Sequence, residues 1–155
     1  MSRREQIQLE PDEVLELMAE NYVAVVSSNG LRGWPHSMPL WYVERAGEVW
    51  AWTFAKSQKV RNLERDNRAT VLIEAGDAYA ELRGAMIEAE TEIHRDPEVV
   101  GTFAAELGIR YAERIGVDAS TAPEVFAPQV PKRVALQFRP VRTATWDHRK
   151  LAGTY

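Results

Sequence analysis

The stretch Glu48–Arg68, EVWAWTFAKSQKVRNLERDNR, decides the fold. It reads as an apolar strand, a short turn and a helix that opens at Ser57-Gln58-Lys59. A serine at a helix N-cap sets its hydroxyl beside backbone N–H groups that have no partner inside the helix. The positive end of the helix dipole points the same way, so an anion is favoured there. From Lys56 to Arg68 the basic residues are Lys56, Lys59, Arg61, Arg65 and Arg68, and the acids are Glu64 and Asp66. This local positive excess stands out in a chain whose formal net charge is −4. The plain alternative is a solvated helix with Glu64 and Arg68 as an i,i+4 ion pair. Spacing alone leaves both readings open.

Working outward from that stretch, tight turns and alternating strands lie on either side. Tyr22–Ser28 is β-branched and apolar and runs into Asn29-Gly30, a hairpin signal. The expected partner strand is His36–Glu44, followed by a turn at Ala46-Gly47 that leads into the strand Glu48–Phe54. Strands joined this closely form an antiparallel meander rather than βαβ units. Beyond the basic helix, Ala69–Ala75 is a strand with its turn at Gly76-Asp77. Ala78–His94 reads as a long strand, with Gly84 expected to mark a bulge or bend. Arg133–Asp147 is the last strand, and Pro140 confines part of it to an edge, a bulge or a break.

Helices are expected at both flanks. Pro11-Asp12-Glu13 starts one whose apolar stripe is Val14, Leu15, Leu17 and Met18. Asp96-Pro97-Glu98 starts another that ends at Gly116. The stretch from 117 to 132, with Pro123, Pro128 and Pro131, reads either as a lid or as a plain surface connection. The sum is one mainly β domain over residues 1–155: a small six-stranded antiparallel barrel with peripheral helices.

Composition removes several classes of function. The chain has no cysteine, which excludes disulfides, thiolate metal sites and cysteine nucleophiles and fits a cytoplasmic protein. His36, His94 and His148 lie far apart without zinc-type spacing, so no metal is expected. No Gly-x-Ser-x-Gly, G-x-G-x-x-G or P-loop pattern occurs. The sequence pI near 5.5 argues against a nucleic-acid surface, and no apolar run is long enough for a membrane span. What remains is an anion-friendly helix start beside a strand rich in flat aromatics, suited to a phosphorylated planar cofactor. Alternation puts Trp50 and Trp52 on one face and Thr53 on the other. Trp41, Trp50 and Trp52 also read as core or interface packing.

The order NYVAVVSSNG, HSMPLWYVE, EVWAWTFAKSQKVRNLERDNRATVLIE and AELRGAMIEAETEIHRDPE resembles the split β-barrel flavin/deazaflavin oxidoreductases, the pyridoxamine 5′-phosphate oxidase-like proteins. The closing TWDHRKLAGTY is similar to the actinobacterial branch that uses the deazaflavin coenzyme F420. The resemblance implies an FMN-binding type of split barrel, a homodimer with cofactors between subunits, and a small planar conjugated substrate. Carried over by position, Met38, Pro39, Leu40 and Trp41 match the strand whose backbone faces the ring. Trp52 and Thr53 match the strand end beside it. Ser57, Gln58 and Lys59 match the Ser-Arg-Lys that holds the phosphate, with Arg61 and Asn62 following. Gln58 and His36 stand where the oxidases have arginines, and their substrate-holding Arg-Leu-His-Asp-Arg segment is not found. Oxidation of pyridoxamine phosphate is therefore not expected. Coenzyme F420, with a phosphodiester and a glutamate tail, asks for basic charge spread along a groove, which Lys56, Lys59, Arg61 and Arg65 provide; FMN is the alternative. His148, Arg149 and Tyr155 are the candidates to deliver a proton.

Overall fold

Apolar and polar residues alternate along six antiparallel strands, so that one face of each turns inward and the sheet closes on itself. The computed structural model describes residues 2–151. In chain order the strands are β1 (Val23–Asn29), β2 (Pro35–Arg45), β3 (Glu48–Phe54), β4 (Arg68–Ala75), β5 (Arg83–His94) and β6 (Arg133–Asp147). Around the barrel they run β1-β2-β3-β6-β5-β4. The helices are α1 (Arg3–Gln6), α2 (Pro11–Glu20), α3 (Gln58–Arg65) and α4 (Pro97–Ile115). The barrel is the six-stranded architecture that the alternation and turn signals foretell.

Local signals place most elements. Arg45 pairs with Glu48 across a two-residue turn in which Ala46 and Gly47 both take positive φ, the geometry that matches strand twist. Gly116, at φ 67°, closes α4, and the Asp96 side chain accepts from the Glu98 N–H at its start. Three expectations need correction. Asn29-Gly30 does not make a two-residue hairpin: Asn29 pairs with Pro35, and Gly30–Trp34 forms the loop, closed by the Gly30 N–H donating to the Trp34 carbonyl. The long strand begins at Arg83, because Tyr79–Glu81 is a 3-10 turn.

Third, Gly84 marks no bulge. It sits in regular register opposite Trp146, and a Cβ there would stand 2.3 Å from the indole, so the glycine makes room for a ring. The bulge lies where β5 passes from Glu88 to Ala89. Their partners are Arg142 and Pro140, which leaves Val141 as the extra residue on β6. Pro140 is thus at a bulge, one of the places open to it.

Two apolar layers result. Inside the barrel, Ala24, Val26, Tyr42, Val49, Ala51, Val71, Ile73, Ile87, Leu136 and Phe138 pack together. Leu17 and Met18 of α2 cover one end of this core, and Val60 and Leu63 of α3 cover the other. Outside, α4 lies on the sheet and buries Trp50 and Trp52 against Phe103 and Leu107. The segment after α4 is packed, which favours a surface connection over a lid. Ala122 is fully buried, its carbonyl lying 2.0 Å from where a Cβ on Gly108 would stand, and the Phe126 ring meets the Trp52 ring edge-on at 5.4 Å.

One seam of the barrel is short. β2 pairs with β3 only along Tyr42–Arg45. The earlier part of β2 pairs with β1 alone, and the end of β3, to Phe54, pairs with β6 alone. The wall parts between these two strands, next to the first turn of α3.

Candidate functional site

The inward-facing positions change from apolar to polar at the end of the barrel that α3 covers. Along β1 the inward residues are Ala24, Val26 and then Ser28. On β3 they are Val49, Ala51 and then Thr53. On β2, His36 is the cross-strand partner of Ser28, and Met38 of Val26. From α3 come Lys59 and Asn62, both buried although polar. Ser28, His36, Thr53, Lys59 and Asn62 therefore meet at one mouth.

Short polar contacts organise it. The Lys59 ammonium donates to the Thr53 hydroxyl at 3.0 Å, and that hydroxyl donates to the Ser57 Oγ at 3.4 Å. Asn62 Nδ2 donates to the Ser28 Oγ at 3.2 Å, and its Oδ1 accepts from Gln58 Nε2 at 2.9 Å. Ser57 occupies the N-cap of α3 but makes no side-chain cap bond, so first-turn N–H groups keep room for another acceptor. Burial, and then the positive charge of Arg133, hold the Lys59 ammonium below its ordinary pKa. No carboxylate pairs with Lys59 among the described residues. Beside this network a cavity of about 340 Å³ opens between the Gly30–Trp34 loop and α3, with His36, Gln58 and Asn62 on its walls. His36 Nδ1 is buried there without a hydrogen-bond partner.

The basic run divides in two. Arg68 pairs with Asp66 at 2.8 Å, and Glu64 pairs with Arg95 at 2.5 Å, so the expected Glu64–Arg68 pair is not formed. Arg65 donates to the Asn29 carbonyl and ties the end of α3 to β1. Lys56 and Arg61 are exposed and have no acidic partner among the described residues. The cations nearer the helix start are thus the uncommitted ones, together with Arg32 on the loop.

Other expected site residues are distributed as follows. Met38, Pro39 and Leu40 lie on the parted stretch of β2, Met38 and Pro39 exposed and Leu40 partly packed on the core. Trp41 faces outward and stacks on Tyr111 of α4, with ring centroids 4.3 Å apart. Trp52 is buried under α4, on the opposite face of β3 from Thr53, with the Arg133 guanidinium 4.8 Å from its ring centroid. His148 and Arg149 follow β6 at the far end of the barrel, where His148 Nδ1 contacts the Tyr79 carbonyl at 2.8 Å and Arg149 is bound to Asp147. Within one chain they do not join the mouth. Tyr155 lies outside the described residues. Sequence reading did not single out Ser28, and it considered His36 only as a metal ligand, set aside on spacing, and as a replacement for an arginine; strand register alone brings the two to Asn62.

The donor set fits a phosphorylated planar group: a lysine without a counter-ion, an open helix start, an orphaned imidazole nitrogen and a parted wall. A pyridoxamine 5′-phosphate oxidase model matches residues 10–147. The chain belongs to this family. A conserved hypothetical protein from Mycobacterium tuberculosis is similar over 100% of this chain and 95% of its own, at 33% identity and a TM-score of 0.87. An F420 reductase shares the fold at 20% identity and a TM-score of 0.62, covering 83% of this chain and 93% of that one. HutZ, a heme storage protein from Vibrio cholerae, does so at 16% identity and 0.65, covering 91% and 95%. Among curated proteins no match is found. The family's fold thus carries both a reductase and a storage protein. Among the described residues no cluster of potential ligands would hold a metal ion, and no helix is long and apolar enough to cross a membrane.

Proposed function

We propose that this member of the pyridoxamine 5′-phosphate oxidase family is an oxidoreductase that uses coenzyme F420 and reduces a small, flat, electron-poor acceptor, working as a homodimer. The observation that carries the reading is the parted seam between β2 and β3, which opens beside Ser57, Lys59 and Thr53. When bound, the deazaflavin supplies the hydride. The protein's residues bind, orient and exclude water. Lys59, pre-set by the Thr53 hydroxyl, and the open start of α3 would take the negative charge of the phosphodiester. Met38 and Leu40 would offer an apolar border to the ring. A homodimer would cover the exposed Trp34, Met38 and Trp41.

F420 is favoured over FMN by the distribution of charge. Gln58 is turned onto Asn62, so the first turn of α3 offers one lysine instead of a cage of cations around a phosphomonoester dianion. Lys56, Arg61 and Arg32 are spread along the rim, as a long anionic tail requires. Titrating the purified protein with F420 and with FMN, read by fluorescence, tests this: F420 binds in the micromolar range or tighter, and FMN more weakly. Preference for FMN would overturn the choice of cofactor. Stopped-flow mixing of the reduced complex with enones and quinones tests turnover, since a carrier would bind F420 and show no acceptor-dependent rate.

A further inference from the structure

The barrel has a second open edge, at the end that α2 covers. β3 pairs with β6 only as far as Val49 with Phe138, and from Arg139 to Asp147 β6 is bonded to β5 alone. Backbone direction alternates along a strand, and beyond the bulge at Val141 the contacts of Asp147 fix its phase. The Asp147 N–H meets the Ile7 carbonyl at 2.7 Å on the open side, while the next N–H, of His148, turns to Leu82 beside β5. Thr143 and Thr145 share the direction of Asp147, so their N–H groups face the open side too. A cavity of about 720 Å³ lies there, against about 340 Å³ at the mouth. Leu9, Val14, Leu15 and Met18 give it an apolar wall, and β6 and the turn at Gly47 stand opposite. Two arginines line it, Arg4 of α1 and Arg142 of β6, and no acid does. Arg4 has no acidic partner among the described residues, and Arg142 reaches Glu88 at 3.4 Å with both side chains well exposed, a pairing that holds an arginine weakly. In a chain of net charge −4, two loosely held guanidiniums over an apolar hollow run against the background. An added peptide strand fits less well. The bulge interrupts the edge, and the segment Ile7–Leu9 already covers its end, the Leu9 N–H donating to the Thr145 hydroxyl at 2.9 Å.

We propose that this cavity binds a small amphipathic carboxylic acid, its carboxylate held by Arg4, Arg142 and the Thr143 N–H and its apolar body laid between α2 and β6. The planar fork of arginine matches a carboxylate, and an apolar hollow of this size with a few convergent polar groups is the usual form of a small-molecule site. A flexible acyl chain and a flat aromatic acid share this chemistry. The site lies at the opposite end of the barrel from Ser57 and Lys59, and nothing in it depends on the cofactor assigned above.

The test titrates octanoate, 2-naphthoate and octanol into the full chain by calorimetry. An acid that fits binds with a Kd of about 100 μM, and octanol, with the acyl body but no charge, about tenfold more weakly. Arg142→Ala weakens the acid about tenfold. Leu15→Glu, which sets a carboxylate in a wall that is 41% exposed, abolishes binding. Both variants keep the wild-type melting point, because both side chains are exposed. Binding of octanoate alone identifies an acyl chain and binding of naphthoate alone an aromatic acid, and either result supports the site. It is overturned if neither acid binds more tightly than octanol, or if both variants bind the acid as wild type does. Displacement of bound F420 by the acid would place the acid at the mouth and overturn it as well. Failure of F420 to bind overturns only the cofactor reading.

Discussion

The two faces of β3 spend their polar groups in opposite ways. On the α4 side, Trp50 is sandwiched between the Arg45 guanidinium, 4.4 Å from its centroid, and the His94 ring, stacked at 4.8 Å. His94 Nε2 pairs with Gln137, whose amide donates to Glu48, and Arg45 is bound to Glu106. The acids and amides there are paired and the rings are covered, although one guanidinium nitrogen each of Arg45, Arg110 and Arg133 is buried without a partner. On the α3 side, Lys59 has a hydroxyl and no carboxylate, the His36 Nδ1 has nothing, and the wall is parted. A layer that is closed serves stability. A layer left short of partners is available to a ligand.

Substitutions on each face should break that contrast in different ways. The largest effect is expected from Phe103→Ala, which empties a fully buried site in the α4 layer. It should cost about 3–5 kcal/mol in urea unfolding and leave F420 affinity per folded molecule unchanged. A loss of affinity would mean that the two faces are coupled.

Lys59→Met should do the reverse. Removing a charge-assisted bond weakens F420 binding by roughly a hundredfold. The ligand-free protein gains a few degrees of thermal stability, because a desolvated ammonium is replaced by an isosteric apolar chain. The sign with pH follows. The folded-state pKa of Lys59 lies below that of the unfolded chain, so between the two values the unfolded state holds more protons and stability rises with pH. Melting between pH 7 and pH 10.5 should show this contribution in the wild type and lose it in Lys59→Met.

Gly84→Ala drives a methyl against Trp146 at the far end of the barrel and should cost about 1–3 kcal/mol without touching the mouth. Tryptophan fluorescence should shift with it. The smallest change in stability belongs to Trp34→Ala. The side chain is 74% exposed, so the unfolding free energy should stay within about 0.5 kcal/mol of wild type, while F420 binding weakens several-fold. An unaltered affinity would remove the loop from the site.

Where a signal is local, the sequence carried it. β3 from Glu48 to Phe54, the turn at Ala46-Gly47 and the α4 cap at Gly116 depend on neighbours in the chain, and each stands where the pattern put it. Gly84 misled because a glycine in a strand has two meanings, bulge or close approach, and the ring that decides between them lies 62 residues away at Trp146. The site divides in the same way. Ser57 and Lys59 were legible from the helix start and the basic run. Ser28 and the inward placing of His36 were not, because β1, β2 and α3 meet only once the barrel has closed, and the register that turns those side chains inward has no local signature.

Closure itself depends on β6, which is hydrogen-bonded along its edges to both β3 and β5. A chain emerging from the ribosome makes this strand last. Until then β3 and β5 each expose an edge that could pair with a neighbouring molecule. Assembly must wait for pairings such as Val49 with Phe138, a separation that favours slow folding and makes truncation before β6 a route to aggregation.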